Sequence, residues 1–203
     1  MPIPEIPEVR AVRAVRAVRA VRAVRAVRAV RSVRAIRAAG PSDAAAVASV
    51  HVRSWRAAYR GLVPDAYLDS LDVGERTEVW RDRLSAPGAP TVLLAEEDGA
   101  VAFSCFRPWP DGEWDASVTA ELSALYAVPE AWGRGVGRDL LAATVAAMAA
   151  AGFRAAGLWV LEGNPRARAF YGAAGWRPDG TSVTEETGGR MLTELRYRTG
   201  PFS

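Results

Sequence analysis

Apolar positions change their period several times along the chain, and each change predicts an element. Behind Ser42 and Asp43, two residues that offer N-caps, Ala46, Val47, Val50, Trp55 and Tyr59 recur at helical spacing. The run Tyr59-Arg60-Gly61-Leu62-Val63-Pro64 breaks that helix, and a second is predicted from Val73 to Leu84. Apolar runs from Thr91 to Glu96 and from Ala100 to Phe106 flank Glu97-Asp98-Gly99, a β-hairpin signal. Arg107 to Asp115 reads as a loop. Glu121 to Val128 is a strand ended by Pro129, and Asp139 to Ala151 has the Leu/Ala/Met-rich composition of a helix closed by Gly152. Ala155 to Leu161 reads as a short buried strand and Arg166 to Ala174 as a short helix capped by Gly175. Thr181 to Glu186 and Arg190 to Arg198 form a hairpin around Gly188-Gly189. A first strand is expected within Ser32 to Ala39. The link from Glu121–Val128 through its helix to Ala155–Leu161 must join parallel strands, whereas the hairpins are antiparallel. The expected fold class is α/β: a mixed sheet with helices on both faces.

The N-terminal tract breaks every such rule. Residues 9–38 repeat Val-Arg-Ala ten times, with slips only at Ser32 and Ile36. A period of three matches neither helix nor strand, so an α-helix built on it turns Arg to every face and keeps no apolar stripe. Residues 1–31 are therefore expected to be a disordered or loosely helical tail, and 32–203 the folded domain. Three readings of the tract compete. It is a solvated tail arising from repeat expansion or an early start codon, a basic arm for nucleic acid or anionic membrane, or a targeting presequence. Pro2, Pro4, Pro7, Glu5 and Glu8 count against the last.

Charge follows the same division. Residues 1–38 carry ten Arg and two Glu, net +8, while the remainder carries 16 Arg against 21 acidic residues, net −5. The overall +3 is therefore no argument that the folded part binds nucleic acid. A single cysteine, Cys105, cannot form an intrachain disulfide, which fits a reducing cytoplasm. It is expected to be a small core residue. His51 is the only histidine. With one His and one Cys a zinc site cannot be assembled, and neither a Cys–His pair nor a metal is expected. No apolar run reaches membrane-spanning length, and no secretory signal is present.

Candidate chemistry sits between Glu121 and Arg138. Gly133, Gly135 and Gly137 fall at every second position between a strand and a helix. A glycine loop feeding a helix offers free backbone N–H groups and the positive end of the helix dipole, an anion site suited to a phosphate or pyrophosphate. A Cβ there would block close approach. The spacing is G-x-G-x-G rather than the dinucleotide fingerprint, no acidic residue closes a later strand as that fold requires, and no G-K-[ST] is present. The plain alternative is a tight strand–helix turn without a ligand.

Residues 33–198 resemble an acetyltransferase of the GNAT superfamily (GCN5-related N-acetyltransferases). Three motifs in order carry the resemblance: Glu121-Leu-Ser-Ala-Leu-Tyr-Ala-Val-Pro, Gly133-Arg-Gly-Val-Gly-Arg, and Leu161-Glu-Gly-Asn-Pro-Arg-Ala-Arg-Ala-Phe-Tyr-Gly-Ala-Ala-Gly-Trp. It implies acetyl-CoA as co-substrate, seated where two parallel strands splay apart at a bulge. Main-chain groups across Leu125, Tyr126 and Ala127 would hold the pantetheine arm. Backbone N–H groups of Gly133, Arg134, Gly135, Val136, Gly137 and Arg138 would hold the pyrophosphate, with charge added by Arg134 and Arg138. Asn164 would contact the cofactor arm, and Tyr171 would protonate the departing thiolate. Amine attack on a thioester needs a base, oxyanion donors and an acid. Glu121 is the candidate base, directly or through a water, against the alternative of an ordinary surface carboxylate. An N–H near Ala127 is the candidate oxyanion donor. The alternative for Tyr171 is a buried aromatic ahead of a helix cap.

Two residues depart from the superfamily pattern. Trp132 stands where the loop usually has Gln or Arg, and Ser123 where many relatives carry a larger residue, which would widen the acceptor site. Trp55, Tyr59 and Trp80 are either core residues or part of an acceptor pocket. The implied activity is a cytoplasmic N-acetyltransferase acting on a small-molecule or peptide primary amine by direct attack in a ternary complex, without membrane association and with a homodimer allowed. Two other classes stay open: a non-catalytic acyl-CoA-binding or sensory module on the same fold, and a nucleic-acid binder working through the basic arm.

Overall fold

The computed structural model describes residues 35–110 and 112–202. The tail expected over residues 1–31 lies outside them, as do the first three residues of the strand expected within Ser32 to Ala39. Seven strands form one sheet in the order β1-β2-β3-β4-β5-β7-β6. They are β1 Ala35–Ala38, β2 Thr91–Glu97, β3 Gly99–Pro108, β4 Thr119–Ala127, β5 Ala155–Leu161, β6 Arg177–Thr187 and β7 Arg190–Thr199. Only β4 and β5 pair in parallel; the other neighbours are antiparallel. The helices are α1 Ala44–Ala58, α2 Asp65–Ser70, α3 Val73–Ser85, α4 Val136–Ala150 and α5 Pro165–Ala173.

Alternation along β3 sorts the helices onto two faces. Phe103 meets Trp80 of α3 and His51 of α1 on one face. Ser104 shares a 2.7 Å hydrogen bond with Thr144 of α4 on the other. Both hydroxyls are fully buried, and Thr144 also bonds the Leu140 carbonyl, so the polar pair is satisfied and fixes α4 against the sheet. Apolar clusters fill both layers. One gathers Val47, Val50, Trp80, Leu94 and Phe103, and the other Leu122, Leu141, Met148, Leu158 and Trp176.

The expected mixed sheet, with helices on both faces, is the observed one. Helix α2 was not foreseen. At six residues it is too short to show a period, and tertiary contacts stabilise it. Leu68 is fully buried, and Arg56 of α1 donates to the carbonyls of Leu68, Asp69 and Leu71 at its C-terminal end. Helix α4 starts three residues earlier than its composition suggests, because left-handed Gly135 (φ +83°) acts as its N-cap and draws Val136, Gly137 and Arg138 into the first turn.

Candidate functional site

Strands β4 and β5 pair over three positions only, Thr119↔Ala155, Ala120↔Ala156 and Glu121↔Gly157. Beyond Glu121 they diverge. The β3–β4 register slips between Cys105 and Phe106, where Ala124 and Leu122 are the partners, so Ser123 is the extra residue of a β-bulge. The bulge bends β4 away from β5 and opens the sheet at its parallel seam. A cavity of about 630 Å³ occupies the opening.

The Val128 N–H bonds the Val101 carbonyl at 2.9 Å, so Val128 and Tyr126 direct their main-chain groups toward β3. By the alternation of an antiparallel ladder, the N–H and C=O of Leu125 and Ala127 point into the opening. These are edge groups with no strand beside them. The Ala127 carbonyl accepts the Trp132 indole N–H at 2.7 Å. Trp132 thus braces the end of β4, and the Arg166 guanidinium lies over its ring at 3.7 Å.

At the far end of the cavity the chain turns through Gly133 (φ +70°) and Gly135 (φ +83°). A Cβ built on Gly133 would meet no atom within 4 Å, so the cradle in front of it is open. The first intrahelical bond runs from the Asp139 N–H to the Gly135 carbonyl at 3.0 Å, and no side chain caps the helix. The N–H groups of Val136, Gly137 and Arg138 are therefore left for a ligand, with the positive end of a 15-residue helix behind them. Arg138 and Arg166 line the cavity. Burial pulls the Arg166 guanidinium below its usual range, a penalty that a bound anion would relieve. The Arg134 side chain is turned elsewhere. It pairs with Glu97 at 2.8 Å and donates to the Glu130 carbonyl, so only its backbone belongs to the cradle.

Asn164 caps α5, its Oδ1 accepting the Ala167 N–H at 3.0 Å. Its carboxamide nitrogen is left for the cavity it lines. Tyr171, seven residues on, also lines the cavity and is 9% exposed. Burial first, and then Tyr126, push its phenol well above the ordinary range, so it holds its proton at neutral pH.

Glu121, 8% exposed, lines the cavity at the last paired position of β4. Its Oε2 accepts from Arg107 Nε at 2.6 Å. Around it the cavity is walled by Tyr59 and Tyr126, whose phenols are raised mainly by burial, and by Glu194 of β7. The Glu194 carboxyl is also held above its usual range, by burial first and then by Glu185 and Glu121. Tyr126 stacks on His51 at 5.4 Å, an arrangement that belongs to the aromatic core. His51 Nδ1 accepts the Trp80 indole N–H at 3.1 Å, and burial lowers its pKa to about 3, so it is a neutral packed residue. Trp80 is core as well. Cys105 is buried, and burial pushes its thiol up.

The structure brings Glu121, Leu125, Tyr126, Ala127, Gly133, Gly135, Gly137, Arg138, Asn164 and Tyr171 around one cavity. Three further residues join them that sequence reasoning did not assign to the site. Arg166 stands inside the Asn164-Pro-Arg motif, but nothing in that motif gives its side chain a role. Ser54 is a polar residue on an otherwise core-facing stripe. Glu194 reaches the site only through the β5–β7 register, which pairs it with Leu161. Among the described residues no group of His, Cys, Asp and Glu could hold a metal ion, and no helix is long and apolar enough to cross a membrane.

Known proteins resemble this chain in sequence and in fold. YuaI of Bacillus subtilis, an uncharacterised N-acetyltransferase, is 33% identical over 123 residues, 61% of this chain and 69% of its own. YncA of Salmonella typhimurium, solved with its cofactor acetyl-CoA, superposes with a TM-score of 0.63 at 19% identity, covering 84% of this chain and 95% of its own. The PaiA N-acetyltransferase of Thermoplasma acidophilum, solved with coenzyme A, gives 0.63 at 22% identity over 79% and 97% of the two chains. The profile of the acetyltransferase (GNAT) family matches residues 52–176, which span β4, the glycine loop, α4, β5 and α5, and on that match the chain belongs to the GNAT family of acetyltransferases.

Proposed function

We propose that the protein transfers an acetyl group from acetyl-CoA to a primary amine by direct attack in a ternary complex. The observation that carries this reading is the opening between β4 and β5, which ends in an uncapped helix N-terminus. The residues fit such a donor. The edge N–H and C=O groups of Leu125 and the N–H of Ala127 would pair with the pantetheine amides. The amides of Gly133 to Arg138, with the side chains of Arg138 and Arg166, would hold the pyrophosphate, and Asn164 would meet the arm between. The donor supplies an acetyl group activated as a thioester.

The chain's own groups then handle the protons. Glu121 takes the proton of the attacking amine, directly or through a water. As the nitrogen–carbon bond forms and the carbon–sulfur bond breaks, Tyr171 gives its proton to the sulfur. A main-chain N–H beside Ala127 stabilises the charge that develops on the carbonyl oxygen. Cys105 is buried, His51 is bonded to Trp80, and neither lines the cavity, which supports the direct route; the single cysteine supports a cytoplasmic setting.

Calorimetric titration of the full chain with acetyl-CoA, beside Gly135→Glu and Arg138→Glu, tests the reading. Micromolar binding that both folded variants weaken, followed by thiol release with an amine panel, is the expected result. A folded parent that binds no acetyl-CoA overturns it. Binding without turnover on any amine would leave the sensory-module reading in its place.

A further inference from the structure

The acceptor end of the cavity has a chemistry of its own. Register places Glu121, Gly157, Trp159, Leu161 and Glu194 on one face of the sheet, since Glu121 pairs with Gly157 and Leu161 with Glu194. That face looks toward α1 and α2. Leu192, two residues before Glu194, packs against the same cluster of Val52, Val63, Leu68 and Leu71 as Tyr59 and Tyr67 do, and Gly188 at the β6–β7 turn lies so close to Tyr67 that a Cβ would come within 2.6 Å of it. The β6–β7 hairpin is thus docked on α2, and Glu194 is held beside Tyr59 and Tyr126.

The nearby cations are already committed. Arg107 is bonded to Glu121 at 2.6 Å. Arg196, two residues along β7, is bonded to Asp179 at 2.7 Å and to Glu113. The two arginines that line the cavity, Arg138 and Arg166, sit at the glycine loop and the start of α5, the donor end. Glu194 has no ion-pair partner among the described residues, although it is partly buried. The same cavity holds a second unmet polar group: Ser54 Oγ, on a residue 1% exposed, has no hydrogen-bond partner. Leaving such groups without partners costs free energy that a polar, cationic occupant restores.

We infer that Glu194 anchors the ammonium end of the acceptor, and that the acceptor is an amine bearing no free carboxylate. The inference rests on the acetyl-transfer reading and names its substrate class. An amine entering beside Glu194 meets one unpaired carboxylate, a second carboxylate at Glu121 and the faces and hydroxyls of two tyrosines. A carboxylate on the same small molecule would meet Glu121 and Glu194 with no free cation at that end to receive it. Like-charge contact of this kind is how a site rejects a near-isosteric competitor.

Matched pairs that differ only by a carboxylate decide it: 1,5-diaminopentane against lysine, and tyramine against tyrosine. Each would be titrated calorimetrically into the full chain saturated with coenzyme A, as wild type, Glu194→Gln and Glu194→Asp, with acetyl-CoA affinity and thiol release measured alongside. In at least one pair the decarboxylated amine should bind the wild type roughly tenfold more tightly or better, a difference of about 1.4 kcal/mol or more. Glu194→Gln should close that gap while keeping the acetyl-CoA affinity, and Glu194→Asp should restore part of it. Equal or stronger binding of the amino acids, binding of neither partner in both pairs, or an unchanged ratio in Glu194→Gln overturns the inference. If Glu194→Gln does not fold, the wild-type ratios alone decide. A loss of acetyl-CoA binding by the wild type would instead sink the functional reading, so the two failures are separable.

Discussion

Arg107 and Glu121 are cross-strand partners in β3 and β4, joined Nε to Oε2 at 2.6 Å, and this pairing holds the candidate base at the mouth of the strand opening. Arg107 is half exposed while Glu121 is nearly buried, so the guanidinium shields the carboxylate from one side and leaves the other toward the cavity. Replacing Glu121 by Gln keeps the shape and removes the proton acceptor. Turnover should fall by roughly 10²–10⁴-fold with acetyl-CoA affinity unchanged. A kcat within twofold of wild type in a steady-state assay would leave the proton to water or substrate.

Tyr171→Phe removes one hydroxyl from a residue whose ring is packed in the core layer with Leu141 and Trp176. The fold should survive, because no described residue depends on that hydroxyl as a partner. Turnover should drop by roughly 10²-fold or more while the acetyl-CoA dissociation constant stays put. Loss of cofactor affinity instead would assign Tyr171 to binding, and unchanged turnover would remove it from the reaction.

Stability should decline on mild acidification, and His51 is the reason. Its folded pKa of about 3 lies below the ordinary 6.5, so the unfolded chain binds the proton first. The stability present above pH 6.5 is lost as pH falls from there toward 3. By pH 5 the loss should be about 2 kcal/mol. Glu194, raised rather than lowered, works in the opposite direction and offsets part of it. Urea midpoints at pH 7 and pH 5 measure the difference. In His51→Gln, which cannot titrate but can still accept from Trp80, the fall should shrink. An equal fall in both proteins would place the acid sensitivity elsewhere.

Gly157→Ala should destabilise the protein by about 1–3 kcal/mol. A Cβ there would come within 2.5 Å of both Trp109 and Trp114, whose rings lie 4.4 Å apart, tilted by 33°. Arg196 lies over Trp114 at 4.4 Å and bonds Glu113, so the tryptophans cannot shift alone. Thermal melting of the variant checks this, and an unchanged midpoint would show that the loop gives way freely.

Much of the molecule was legible in the order of its residues. Local sequence placed β5 at Ala155–Leu161 and the start of α3 at Val73; the first is a short, nearly continuous apolar run, which is how a strand buried on both faces reads. The alternate glycines marked the candidate anion cradle, where Gly133 and Gly135 take a positive φ that glycine adopts far more readily than other residues. The expectation for the Arg134 side chain reached its limit where Glu97, 37 positions earlier in the chain, proved to be its partner. Tertiary structure alone decided which side chains meet across strands and helices. The Ser123 bulge opened the sheet, Arg56 secured α2, and the β5–β7 register delivered Glu194 to a site whose other residues lie far earlier in the chain. A local pattern reports which face of an element is buried. Register, bulges and ion pairs depend on contacts between distant segments, and no period along a single segment encodes them.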